Sequence, residues 1–219
     1  MTSDQATELL AKVLGTKNSY ESSMEILAKL IDAREPCIGY HSFCVKELSL
    51  ILGKAMGLGD EDLTILAQGS LLHDIGKLSL PESILLKRGK LNCEERKLMQ
   101  THAQVGWVIL KSNPQLRRAS EIAYSHHEKY DGTGYPHGLK GDDIPLNSRI
   151  FAVIDAYDAM RADRIYQPAI SAEEAVEEIK RCSGTHFDPY VVEVFLTVQP
   201  EIEKIGEKCW QRKKVSDPC

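Results

Sequence analysis

No apolar run in this chain approaches the roughly 20 residues needed to cross a bilayer. The opening Met1-Thr2-Ser3-Asp4-Gln5 has no basic stretch leading into an apolar one, as an export signal would. A membrane partner is therefore not expected, and the protein is expected to be cytoplasmic. Basic residues are also in deficit, with 27 Lys and Arg against 32 Asp and Glu and a net charge of −5. Binding to a nucleic acid polymer draws on counterion release and needs a basic surface, so that function class is excluded. A phosphate-bearing ligand would have to be recognised by local cations or metal ions. The cysteines, Cys37, Cys44, Cys93, Cys182, Cys209 and Cys219, show no CxxC spacing. That argues against a zinc ribbon and against a disulfide framework. Cys44 and Cys182 are expected to be small core residues.

What is present is ordinary for a globular protein: 42% hydrophobic and 27% charged residues in a chain of 219, which suits one domain with appendages. Ala6 to Leu14 reads as a lead-in helix closed by Gly15-Thr16-Lys17-Asn18-Ser19, setting residues 1–19 apart. Met24, Leu27, Ala28, Leu30 and Ile31 recur at helical spacing between Tyr20 and Arg34, and Glu35-Pro36 breaks the pattern. A second helix runs from near Ile38 to Met56 with His41 in its first turn. Asp60 is expected to cap the next helix, which carries His73 and Asp74 at its C-terminal end. Leu78 to Lys90 reads as a loop with a short helical turn. Asn92 and Glu95 form a capping box for a helix bearing Leu98, His102, Val105, Val108 and Ile109, ended by Pro114.

Leu116 to His127 reads as one further helix, followed by a loop over Glu128 to Gly141 that contains Gly132, Gly134, Gly138 and Pro136. Helices are expected over Leu146 to Asp163, from a Ser171/Glu174 capping box to about Arg181, and from Asp188-Pro189 to Val198. Lys204 to Cys219 reads as a charged, frayed tail, so residues 201–219 are set apart from a domain over 20–200. No segment alternates in the manner of a strand. The fold class is all-α, a compact helical bundle with a long Gly-rich loop after the His126-His127 pair.

His73 followed at once by Asp74 sets a nitrogen ligand beside a hard carboxylate, a pairing suited to a first-row metal such as iron or manganese. His41, His102, His126, His127 and Asp155 can join them, leaving only His137 and His186 of the seven histidines outside. Taken singly, each histidine is more often a packed or capping residue than a ligand. Adjacent His126 and His127 point about 100° apart on a helix, so both reach one metal only from its end. The Gly-rich loop supplies that end. Asp155 and Asp158 share one face of their helix.

The run His126-His127-Glu128-Lys129-Tyr130-Asp131-Gly132-Thr133-Gly134-Tyr135-Pro136 follows His73-Asp74-Ile75-Gly76-Lys77. It precedes Ile144-Pro145, Asp155-Ala156-Tyr157-Asp158-Ala159-Met160 and Gly184-Thr185-His186-Phe187-Asp188-Pro189. Together these motifs resemble the HD-GYP family, cyclic-dinucleotide phosphodiesterases of the HD metal-dependent phosphohydrolases, over about residues 22–198. The resemblance implies an HD-type bundle around two, sometimes three, metal ions. One metal would take His41, His73, Asp74 and Asp155, and the other Asp74, His102, His126 and His127, with Asp74 as the bridge. Iron or manganese is the implied occupant, with zinc, nickel or magnesium able to take its place. Between two such cations a shared water loses a proton near neutrality and attacks phosphorus in line.

Lys77 matches a family lysine beside the scissile phosphate, and Arg164 matches a phosphate-contacting arginine. The Arg-x-x-Lys/Arg element of the family here reads Arg164-Ile165-Tyr166-Gln167, without its second cation. Gly134, Tyr135 and Pro136 would contact the substrate or a diguanylate cyclase, or else form a rigid support for His126 and His127. Asp158 is expected behind the ligands. Where three-metal members carry a glutamate four residues before the first ligand histidine, this chain has Cys37, so a two-metal site is expected. The implied function is hydrolysis of cyclic di-GMP to linear pGpG, with further conversion to GMP left open. The alternative is a catalytically weak module that binds a cyclic dinucleotide or a diguanylate cyclase as a signalling adaptor. A sensor or receiver protein and a second copy of the chain are the other implied partners. A di-iron oxygenase on the same scaffold is disfavoured by the Gly-Tyr-Pro loop and Lys77.

Overall fold

The computed structural model of the chain describes residues 19–34, 40–162 and 168–216, with side chains as far as Gln211. The lead-in helix expected over Ala6 to Leu14 lies outside those residues, as do Cys37, Arg164 and Gln167. The described residues form α1 Ser19–Asp32, α2 His41–Ala55, α3 Asp60–Leu72, α4 Glu82–Leu85, α5 Cys93–Lys111, α6 Ser120–Ser125, α7 Leu146–Arg161, α8 Ala172–Arg181 and α9 Pro189–Ser216. Short 3-10 turns occupy Ile75–Ser79, Pro114–Leu116 and Gly141–Asp143. The only β-pairing among the described residues is an isolated bridge between Ser183 and Phe187, so the all-α expectation holds. No described helix is long and apolar enough to cross a membrane.

Two helices pass through the core and carry or lead into part of the site, His73 and Asp74 following α3 and Asp155 lying on α7. Helix α7 buries Ile150, Phe151, Ala152, Val153 and Ile154 in succession, whereas a helix wetted on one face would bury only every third or fourth residue. Against it pack α2 through Val45, Leu48 and Leu52, and α9 through Val191, Phe195 and Ile202. Helix α3 stands between this core and a second one. Its Leu66 belongs to the first, while Ile65, Leu71 and Leu72 join Met24, Ala28 and Ile31 of α1 and Leu110, Leu116, Ala119 and Ala123. Covered on both sides, α3 has a fixed C-terminal end, and His73 follows directly upon it.

Both expected capping boxes form. Asn92 Oδ1 accepts from Glu95 N at 2.9 Å while Glu95 Oε2 accepts from Asn92 N at 2.8 Å, and Ser171 with Glu174 repeats the pattern. Asp60, by contrast, is the first residue of α3 and Gly59 occupies the cap position. Asp60 still favours the helix by placing its charge, with Glu61 and Asp62, at the positive end of the dipole. The expected helix over Leu116 to His127 is also broken, because Asn113 Oδ1 accepts from Gln115 N at 3.0 Å and starts a separate turn at Pro114. Cys44 is buried as expected, and Cys182 is half-buried.

The last helix does not stop at Val198. It runs to Ser216, with Ile202 and Trp210 buried, so the frayed-tail reading is corrected. Ile202, Ile205 and Trp210 give the segment an apolar stripe that its many charges had hidden.

Helix α5 likewise shows a different face from the expected one. Leu98, Val108 and Ile109 are exposed, and His102, Ala103, Gly106 and Leu110 are buried. The buried face is the one with small residues because the Ile75–Ser79 turn passes hard against it. A Cβ on Gly76 would lie 1.9 Å from His102 O and 2.6 Å from Gly106 N. Both neighbours are backbone and cannot swing aside. Gly76→Ala should therefore cost about 2–3 kcal/mol or more of stability, read as a lowered urea midpoint of the metal-free protein. An unchanged midpoint would mean that α5 and the turn separate without penalty.

Candidate metal centre

The candidate side chains sit mostly at helix ends, each held there by a local device. His41 opens α2, whose start is fixed from α1: Asp32 Oδ1 accepts from Ser42 Oγ at 2.6 Å and Oδ2 from Ser42 N at 3.2 Å. Tyr40, just before it, has φ 71°, a left-handed conformation uncommon for a residue with a side chain. His73 follows α3, and Asp74 comes next with φ −97° and ψ 11°. This is the sparsely occupied bridge region between helix and strand, and it turns the chain into the Ile75–Ser79 turn. His126 follows α6 directly, so the adjacent histidines do stand at a helix end. Asp155 and Asp158 project from α7.

These residues converge. His41, His73 and Asp155 offer one ligand atom each within 4.8 Å of one another, and so do His102, His126 and His127. Either group could hold a metal ion. Asp74 lies between them with its two oxygens divided. Oδ2 is 3.1 Å from His73 Nε2, while Oδ1 is 3.4 Å from His102 Nε2 and 3.8 Å from His126 Nε2.

The hydrogen bonds on the outer side of the rings decide what the inner side presents. The Nδ1–H of His73 donates to Ser70 O at 2.8 Å, that of His102 to Met99 O at 2.6 Å, and that of His126 to Ala123 O at 3.0 Å. A carbonyl can only accept, so Nδ1 carries the proton and a neutral ring must present a bare lone pair at Nε2. His102 and His126 aim those lone pairs at each other across 3.4 Å, with the Asp74 carboxylate alongside. Buried acceptors that face one another with no donor between them are costly, and a divalent cation would resolve this. The residues fit a metal.

Charge divides the two groups. Burial opposes the charged form of His41, but hydrogen bonds to Asp155 and Asp158 outweigh it and raise its pKa to about 10. His73 is raised as well, against burial, by the Asp74 carboxylate. On the other side burial pushes His127 down to about 3, with the neighbouring His102 opposing a second proton there, and lowers His102 and His126. Asp74 and Asp155 are held far below the usual carboxylate range: burial works against this, and the facing His73 and His41 respectively prevail.

Lys77, one 3-10 turn after Asp74, places its ammonium 2.8 Å from Asp74 Oδ2. Arg34 steadies that turn by donating to Lys77 O at 2.8 Å and Leu80 O at 2.9 Å. In the Gly-rich loop the Tyr135 ring stacks on His127 at 4.7 Å, and Tyr135 N donates to His127 O at 3.2 Å. The Tyr135-Pro136 peptide is cis. Gly134 permits the close approach, since a Cβ there would fall 2.3 Å from Lys129 N. Asp158 stands behind His41, as expected, with Oδ2 accepting from His41 Nδ1 at 2.7 Å.

Two contributors went unread in the sequence. Glu128 is buried and its carboxylate accepts from His137 N at 2.8 Å and Leu139 N at 3.0 Å, tying the loop down. Its place right after the two histidines was the available signal. Asp32 gave none, because its partner lies beyond a helix break.

The profile of the HD-domain family matches residues 25–191. A 3'3'-cGAMP-specific phosphodiesterase 2 of Vibrio cholerae serotype O1 is 40% identical over 80% of this chain and 35% of its own length. A cyclic di-GMP phosphodiesterase of Thermotoga maritima is 39% identical over 89% of this chain and 52% of its own. The chain thus spans about half the length of these relatives or less. The crystal structure of a cyclic GMP-AMP specific phosphodiesterase from V. cholerae aligns with a TM-score of 0.63 at 23% identity. That alignment covers 85% of this chain and 52% of the other, and at such identity it speaks to the fold alone.

The charge pattern gives a pH prediction for the metal-free protein. His102, His126 and His127 bind protons less readily folded than unfolded, so their contribution is present above the unfolded value near 6.5 and fades as pH falls below it. His41 and His73 have raised values, and their contribution is already complete below that point. His127 alone should therefore cost the metal-free protein about 1–2 kcal/mol between pH 6.5 and 5, with His126 and His102 adding to it, and His127→Asn should flatten the slope of melting temperature against pH. An equally steep slope in the variant would count against a buried neutral His127.

Proposed function

This chain belongs to the HD-domain family, and from that premise we propose that it is a metal-dependent phosphodiesterase that opens cyclic di-GMP to the linear dinucleotide pGpG. The observation that carries the reading is the division of Asp74 between two histidine clusters. We assign His41, His73, Asp74 and Asp155 to one divalent cation and Asp74, His102, His126 and His127 to a second, with iron or manganese as occupants. When bound, such a pair lowers the pKa of a shared water and neutralises charge on the phosphate oxygens.

The chain's own groups do the rest. Asp74 keeps the two halves in register, and the carbonyls behind His73, His102 and His126 hold those rings ready as acceptors. Lys77 sets a positive charge beside Asp74, where it offsets charge growing on the phosphate in the transition state. Tyr135, stacked on His127, faces the substrate side together with Gly134 and Pro136, and Arg164 takes the distal phosphate. The catalytic domain is assigned to residues 20–200, with the later turns of α9 packed onto it. The reaction is placed in the cytoplasm. Relatives named for cyclic di-GMP and for 3'3'-cGAMP match this chain about equally well, so their names support a cyclic dinucleotide as substrate, and the choice of cyclic di-GMP is part of the proposal.

Metal-loaded protein, given cyclic di-GMP and chromatographed, should yield pGpG. Asp74→Asn should lower kcat by about 10³-fold or more, and Lys77→Met by about 10²-fold with metal content unchanged. Binding without turnover would make the chain an adaptor instead. Elemental analysis should find two metal ions per chain, and Cys37→Ala should leave that number unaltered. A third ion lost in that variant would overturn the two-metal assignment.

A further inference from the structure

His41 is oriented differently from its neighbours. His73, His102 and His126 each donate Nδ1–H to a carbonyl three residues earlier in their own helix, so local helical geometry settles the direction of the ring. His41 stands at the first residue of α2 and donates instead to Asp158, a side chain 117 positions away. Asp158 is itself only 2% exposed. Its second oxygen accepts from Trp210 Nε1–H at 2.8 Å. Trp210 belongs to the late turns of α9, beyond residue 191 where the family match ends.

The indole is braced from several sides. The Arg161 guanidinium lies over it at 5.1 Å and pairs with Glu203 of the same helix at 2.5 Å. Tyr157 packs against it at 6.4 Å and donates its hydroxyl to Glu203 Oε2 at 2.6 Å. Gly206, one turn earlier, makes room: a Cβ there would fall 2.5 Å from the indole ring. Alanine would be the better helix former at a mid-helix position, so the glycine answers to the ring rather than to the helix.

We propose that Trp210 is a positioning residue: by holding Asp158 it aims His41 Nε2 toward Asp155, and so sets the metal affinity of the His41, His73 and Asp155 half of the site. The proposal rests on the reading of that cluster as a metal site. Metal binding is measured apart from hydrolysis, so protein that binds metal yet leaves cyclic di-GMP intact would defeat the proposed reaction and leave this link standing.

The test is zinc affinity by chelator competition on the full chain. Trp210→Phe keeps an aromatic ring and loses the N–H. It should weaken one zinc equivalent about tenfold and leave the other within about twofold, a selectivity between the two that a fall in the melting temperature of the metal-free protein from lost packing does not produce. Gly206→Ala, which displaces the ring, should act in the same direction. Two equivalents bound as in the wild type, or both weakened in step with a fall in melting temperature, would overturn the proposal. Should Trp210→Phe not fold, Trp107→Phe leaves Trp210 as the sole indole. Its N–H resonance should move as zinc fills the site, and an unmoved resonance at saturation would overturn the link.

Discussion

Everything at the centre of this bundle answers to one electrostatic constraint: lone pairs converge on a small space that holds too few protons to separate them. His102 and His126 face each other through unprotonated nitrogens at 3.4 Å, and the Asp74 carboxylate lies against both. Such an arrangement persists only where the surrounding structure prevents escape. Helix α3, covered on both sides, prevents His73 and Asp74 from moving. The Gly76 approach to α5 locks Asp74 against His102, and the loop folded over His127 closes the remaining side. The packing of the fold and the chemistry of the centre are therefore one problem, and the small residues at 76, 103 and 106 are as necessary to it as the histidines.

The two halves of the centre differ in charge before any ion arrives. The half built on His41 and His73 favours protons, because carboxylates face both rings. The half built on His102, His126 and His127 rejects them, because histidines face one another there. A cation entering the first half would have to displace protons, while one entering the second would relieve repulsion between acceptors. The charge difference between the halves follows from where Asp74, Asp155 and Asp158 stand.

Much of this was legible in the sequence, and what was not has identifiable causes. The helices with clear caps, such as those opened by Asn92 and Ser171, appeared where the local pattern placed them, because a capping box is a short-range interaction. The candidate site residues could be read together because their motifs are long and ordered. The face of α5 could not be read, since periodicity in large apolar residues marked Leu98 and Val108 while the buried side is defined by a close backbone approach to Gly76. The extent of α9 was missed because charge dominates its composition, and a stripe of Ile202, Ile205 and Trp210 is sparse until its docking surface on α7 is known. Asp32 and Glu128 act through backbone amides of other segments, and a single sequence does not announce such partners.

The outer hydrogen bonds of the rings have a consequence for how the centre comes into being. Three imidazoles acquire their direction as soon as their own turn of helix closes, an event that needs nothing from the remainder of the polypeptide. His41 must wait for an aspartate from a distant helix, which is held in turn by the Trp210 indole. The direction of the His41 ring is thus conditional on packing between helices where those of His73, His102 and His126 are prefabricated, and it registers that α7 and the late turns of α9 have docked.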